Sequence, residues 1–168
     1  MTTRARPSKI LRPGGHELDL ESASFGPDER IPVQHTADGQ DLSPALSWGD
    51  LPKGTRALAL IAEDPDAPGL EPFVHWLVAD IDPNQVGNMI CQGAGEIPGS
   101  VLGRNSFGRI GYSGPEPPRG HGPHHYHFKI YALDAPLGLS EGFSKEDLVR
   151  LMRGRVLARG ELVGTYGR

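Results

Sequence analysis

The chain has 168 residues, 37% apolar and 23% charged, with a net charge of -4 and a pI near 5.9. That is the size of one domain with a real core, and a mildly acidic chain without a basic stripe argues against nucleic acid, whose phosphates need clustered Lys and Arg. Cys91 is the only cysteine, so no intrachain disulfide can form; no signal peptide is visible and no stretch nears the ~18 apolar residues of a membrane helix, which makes the cytoplasm the expected address.

The 23 glycines and 16 prolines are spread between apolar runs rather than pooled. Spread punctuation means many turns between short strands, so a single mainly β domain is expected over residues 16–168. Residues 1–15 read as an irregular arm, with Arg4, Arg6, Lys9 and Arg12 as a solvated basic tail broken by Pro7 and Pro13. Leu18 and Leu20 start a first short strand, 31–36 is a second, and 45–48 is a short extended piece. The run 57–62 is continuously apolar and too short for a helix, so it reads as a central strand buried on both faces. Residues 73–81 form another strand, closed by a turn at Asp82-Pro83-Asn84. Residues 84–123 show little periodicity and read as functional loops. A strand follows over 124–133. The one helix spans 144–153, with Ser144 as N-cap, Asp147 in the capping-box position, Leu148, Leu151 and Met152 as the buried stripe, and Gly154 as the left-handed terminator. A last strand covers 156–166, with a bulge expected at Gly160.

Three segments place titratable groups where strands meet loops. Asp64-Pro65-Asp66-Ala67-Pro68 follows the buried strand, where a carboxylate is partly desolvated and needs a partner. Read alone, it is equally a rigid turn with Asp64 capping amides. His75 lies in an apolar strand and is by default a core histidine, unless a carboxylate stands beside it to orient the ring. The third segment, 114–127, holds four histidines in seven residues. Strand parity turns His124 and Tyr126 to one side and His125 and His127 to the other, so a single pocket receives one pair. An imidazole beside a phenol suits an anion better than a metal. The glycines at 93–95, 103–108 and 111–114 lack the completing residues of a dinucleotide fingerprint, a P-loop or a nucleophile elbow.

Taken together, Asp64-Pro65-Asp66-Ala67-Pro68, His75-Trp76 and Gly114-Pro115 through His124-His125-Tyr126 resemble the phosphatidylethanolamine-binding protein family. Within it they resemble the bacterial Raf kinase inhibitor-like branch. Supporting stretches are Asp38-Gly39, Leu42-Ser43-Pro44, Ser47-Trp48 and Glu161-Leu162-Val163-Gly164-Thr165-Tyr166, so the likeness runs from about Phe25 to Tyr166. The resemblance implies a large central antiparallel sheet, a smaller flanking sheet and a short C-terminal helix. It implies a pocket for phosphate-like or carboxylate-like anions, with Asp64 and His75 on one wall and Asp66 and Pro68 at the rim. His124 and Tyr126 form the opposite wall, and Gly114 and Pro117 belong to the closing loop. It also makes Ala67-Pro68 a candidate cis peptide. Two departures stand out: Ser106 follows Asn105 where Asp is expected, and Glu116 adds a carboxylate at the pocket mouth, which disfavours an anion or favours a zwitterion.

The expected function is binding of a small phosphate- or phosphoethanolamine-like ligand, with a regulatory or inhibitory role toward a protein partner. In this reading Asp64 and Asp66 hold His75 and His124 in place and partly protonated. No catalytic residue, cofactor or metal is expected. One alternative is a metal-dependent hydrolase using Asp64, His75 and His124; another is a kinase or protease inhibitor acting through loops 103–120. No membrane insertion is expected, and a homodimer is consistent with the bacterial branch.

Overall fold

The computed structural model describes residues 11–93 and 97–168. Strands β1 (Leu11–Glu17), β2 (Leu46–Ser47), β3 (Ala57–Asp64), β4 (Phe73–Ile81), β5 (Met89–Ile90), β6 (Val101–Leu102), β7 (His124–Leu133) and β8 (Val156–Tyr166) are joined by one α-helix, α1 (Lys145–Met152). Six strands make one sheet in the order β1-β8-β7-β3-β4-β6, and β2 pairs with β5 in a small second sheet. The large sheet is antiparallel except for the β1–β8 pair, which is parallel.

Strand β3 is buried along its whole length because it lies between β4 and β7 and has a core on each face. Leu58, Leu60 and Ala62 join Trp76, Phe128 and Ile130 on one face. Ala59 and Ile61 join Leu77, Tyr131 and helix residues Leu148 and Met152 on the other. A strand that feeds two cores cannot alternate polar and apolar, hence its unbroken apolar run. Helix α1 starts where Ser144 Oγ accepts the Asp147 amide at 3.1 Å and stops before Gly154, whose φ of +74° suits the left-handed terminator. Leu148 and Met152 are buried, while Leu151 is only half-buried.

Several expectations need correction. The arm is shorter than expected: 11–15 belong to β1, and the basic residues up to Lys9 lie outside the described residues. Leu18 and Leu20 are buried but follow that strand rather than start one. Residues 31–36 do not form a strand. Ile31 donates its amide to Thr165, but Pro32 has no N–H to continue the ladder, and Val33–His35 turns into a 3-10 helix. The bulge in the last strand falls at Leu157, because Ala132 faces Ala158 while Leu133 faces Val156. Gly160 instead lets the Leu18 backbone pack against β8; a Cβ there would collide with the Leu18 carbonyl. All described peptide bonds are trans, Ala67-Pro68 included. The turn is closed by Asp64 Oδ1, which accepts the Asp66 amide at 2.8 Å, so no cis bond is needed to reverse the chain.

Candidate functional site

A cavity of about 180 Å³ opens at the carboxyl end of β3. It is smaller than the roughly 300–1,000 Å³ of drug-sized sites, so its occupant is small. β3 supplies Asp64, the turn after it Ala67 and Pro68, and β4 supplies Phe73 and His75. Phe107 closes one side; Glu116, Pro117 and Pro118 form the covering loop; and β7 brings His124 and Tyr126.

His75 reaches this cavity through a bulge. Ala62 pairs with Trp76 and Glu63 pairs with Val74, so His75 is the extra residue between them. Strict alternation would turn His75 toward Leu77 and the helix-side core. The bulge gives that side to Val74 and re-aims the histidine at the site. Its ring is buried among aromatics, with centroids 5.2 Å from Phe73, 5.3 Å from Tyr126 and 5.8 Å from Phe107.

His75 Nδ1 lies 2.6 Å from the Ser113 carbonyl oxygen. A carbonyl only accepts, so Nδ1 carries the proton and the neutral ring keeps a lone pair at Nε2. Burial holds the imidazole below its ordinary pKa, against the opposing pull of the Ser113 carbonyl, Asp64 and Asp41. The expectation that aspartates orient His75 and hold it partly protonated is therefore corrected. Ser113 orients the ring, and burial outweighs the nearby carboxylates.

His124 is the histidine that Asp64 holds. Its Nδ1 stands 2.6 Å from Asp64 Oδ2, and both side chains are almost fully buried. Its Nε2 is 2.8 Å from Nδ1 of His121, a residue of the preceding loop. Asp66 binds neither His75 nor His124. Its Oδ2 accepts from the amide and Nδ1 of His125, outside the cavity. Burial raises the Asp66 carboxyl, but the two His125 hydrogen bonds outweigh it and keep the group below its ordinary value. Tyr126 is buried and its hydroxyl has no hydrogen-bond partner among the described residues. Burial first, then Asp64 and Asp66, pushes the phenol far above its ordinary pKa, so it remains a donor.

Of the expected residues, Asp64, Pro68, His75, Pro117, His124 and Tyr126 converge on the cavity. Gly114 stands behind the wall: its amide donates to Asp41 Oδ1 at 2.8 Å, and a Cβ there would collide with the His35 carbonyl. The sequence reading overlooked Phe73 and Phe107 as walls and His121 as a partner of His124. It also missed the clamp on the loop. Arg168 donates from Nε to the Pro117 carbonyl and from Nη1 to Asp38, while Tyr166 donates its hydroxyl to the same aspartate at 2.5 Å. Asp38 stood among the supporting motif residues, which was the available signal. Ser106 exchanges both hydrogen bonds with Val74 through its amide and Oγ, so it splices the loop to β4 rather than entering the cavity. Asn105 ties the same loop together, donating to Gly111 and Ser113 and accepting from the amides of Phe107 and Arg109.

Among the described residues no group of three or more His, Cys, Asp and Glu side chains could hold a metal. Asp64 and His124 point at each other, not at a common ion.

Residues 21–167 match the profile of the phosphatidylethanolamine-binding protein family. The chain belongs to that family. Two relatives named UPF0098 protein support this. One from Aquifex aeolicus is 44% identical over 163 residues, 95% of this chain and 94% of its own length. One from Pyrococcus abyssi is 46% identical over 158 residues, 92% of this chain and 88% of its own. Among solved structures, a phosphatidylethanolamine-binding protein homologue from Chlamydia trachomatis superposes with a TM-score of 0.83 at 37% identity, covering 92% of this chain and 99% of that one. An E. coli member described as belonging to the mammalian family superposes with a TM-score of 0.84 at 29% identity, covering 90% and 99%. As a family member the chain is mainly β, and no helix among the described residues is long and apolar enough to cross a membrane.

Proposed function

We propose that this family member binds a small anionic or zwitterionic ligand, phosphate- or phosphoethanolamine-like, in the cavity at the end of β3, and does not turn it over. The observation that carries this reading is the meeting of the buried Asp64–His124 pair with His75 and the unpartnered Tyr126 hydroxyl in one small cavity. The phenol donates directly. His75 Nε2 becomes a donor when an arriving anion favours the imidazolium, and Asp64 braces His124 against rotation. Each charge-assisted hydrogen bond contributes on the order of 1.5–3 kcal/mol. After the cost of ordering a free ligand, affinity falls at roughly micromolar to millimolar. Calorimetric titration with inorganic phosphate and phosphoethanolamine tests the reading. Binding is expected in the wild type and at least tenfold weaker in His75→Ala; equal affinity in the two proteins rules out this placement of the ligand.

A further inference from the structure

Two hydrogen bonds made from opposite sides meet on one peptide group. The Ser113 carbonyl accepts from His75 Nδ1 at 2.6 Å, and the amide of the same peptide, Gly114 N–H, donates to Asp41 Oδ1 at 2.8 Å. A trans peptide points its C=O and N–H in opposite directions, so His75, the Ser113–Gly114 peptide and Asp41 form one hydrogen-bonded chain. Asp41 thereby acts on a histidine it does not touch.

The backbone around this carboxylate is shaped to admit it. Asp41 has a φ of +58°, in the left-handed region that Asp, Asn and Gly tolerate best. Gly114 leaves the room, since a Cβ there would collide with the His35 carbonyl and with Asp41 Oδ1 itself. The two segments are tied on either side: Tyr112 donates its hydroxyl to the His35 carbonyl at 2.6 Å, and Ala37 its amide to the Pro115 carbonyl at 3.0 Å. Ser113 is fixed to β4 as well, its amide donating to the His75 carbonyl at 3.1 Å. A carboxylate on the amide end makes the carbonyl end a stronger acceptor, because hydrogen bonds in a chain polarise one another. The stronger acceptor keeps the imidazole proton on Nδ1 and the lone pair on Nε2.

We infer that Asp41 is a positioning residue for His75, acting through the Ser113–Gly114 peptide to fix the ring as its Nδ1–H tautomer and present the Nε2 lone pair. Asp64 holds His124 by direct contact; Asp41 holds His75 with a peptide bond in between. The purpose of this arrangement rests on the cavity reading proposed above, whereas its effect on His75 is read in the ligand-free protein.

Long-range 1H–15N correlation spectra of the 15N-labelled protein report which ring nitrogen carries the proton, at pH 7.5, where burial keeps His75 neutral; His75→Gln assigns the signals. Wild type is expected to show the Nδ1–H tautomer alone. Asp41→Gly removes the carboxylate and suits the positive φ; the Nε2–H tautomer is expected to rise to roughly a fifth of the population or more. Asp41→Asn keeps an acceptor oxygen and loses the charge, so the Nδ1 proton is expected to exchange with water about threefold faster. Exchange of the Ser113 amide, which depends on the loop backbone, is expected to be unchanged in Asp41→Asn. An Nε2–H tautomer in wild type, a pure Nδ1–H tautomer in folded Asp41→Gly, or an unaltered Nδ1 exchange rate in Asp41→Asn overturns the assignment. Equal acceleration of the Ser113 amide and the Nδ1 proton in Asp41→Asn overturns it too, since that is a loosened loop. A wild type that shows the Asp41-dependent tautomer but fails to bind inorganic phosphate by calorimetry overturns the ligand reading and supports this one.

Discussion

His124 Nδ1 lies 2.6 Å from Asp64 Oδ2, a contact between side chains 60 residues apart in sequence and almost fully buried in the fold. A carboxylate this buried is stable only because its oxygens are used, one by His124 and the other by the Asp66 amide. Asp64→Asn keeps the size and removes the charge. The expected outcome is a stability loss of about 1–3 kcal/mol by urea unfolding. Phosphate affinity is expected to fall about tenfold, because an unbraced ring no longer presents one fixed orientation.

The pH dependence of stability follows from His75. Burial sets its folded pKa below the unfolded value of about 6.5. Between those two values the unfolded chain binds more protons, so stability increases with pH. The contribution is complete above about pH 6.5 and is lost as pH falls through the folded value. Anion binding runs the other way, since an anion favours the imidazolium. Phosphate affinity is expected to rise as pH is lowered from 7.5 toward 6, with proton uptake detected as a buffer-dependent heat. In His75→Gln the proton uptake should disappear; its persistence would assign the proton to another group.

His121 competes with any ligand for His124 Nε2. It sits between Gly120 and Gly122, both with positive φ, in a backbone conformation that other residues rarely adopt. Removing the competitor spares a ligand the cost of breaking one hydrogen bond, about 0.5–1.5 kcal/mol. His121→Ala should therefore bind phosphate roughly two- to tenfold more tightly than wild type. Weaker binding would show that His121 helps hold the ligand rather than blocking it.

On the helix-side face, Glu63 is buried between Lys129, at 2.8 Å, and Lys145. Burial raises this carboxyl, yet the two lysines outweigh it and keep the group below its ordinary value. Its contribution is thus present above the ordinary carboxylate range and lost as pH falls through the folded value. Glu63→Gln leaves two ammonium groups sharing a neutral partner. The expected cost is about 2 kcal/mol, below the range for fully buried pairs because both lysines are partly solvated. Urea unfolding at pH 7 and pH 4 checks this: the variant should differ from wild type at pH 7 and approach it at pH 4.

Much of this protein was legible one residue at a time. The unbroken apolar run in β3, the alternation of His124 and Tyr126 against His125 and His127, and the Ser144 cap each follow from local rules of burial, pleat and hydrogen bonding. Motif order was enough to reach the family, and six of the eight residues singled out from the motifs line one cavity. What the tertiary structure decided was pairing. An aspartate two positions from another looks equivalent in sequence, yet Asp64 faces inward to His124 and Asp66 outward to His125. His75 enters the cavity only because β3 and β4 slip by one residue beside it, and register is a property of two strands together. Gly114 appeared to be a ligand contact but serves to admit Asp41 and the His35 carbonyl, neighbours more than seventy positions away. Local propensity is written along the chain. The partner of a buried charge is set by which segments close against it, and that is decided only when the whole sheet forms.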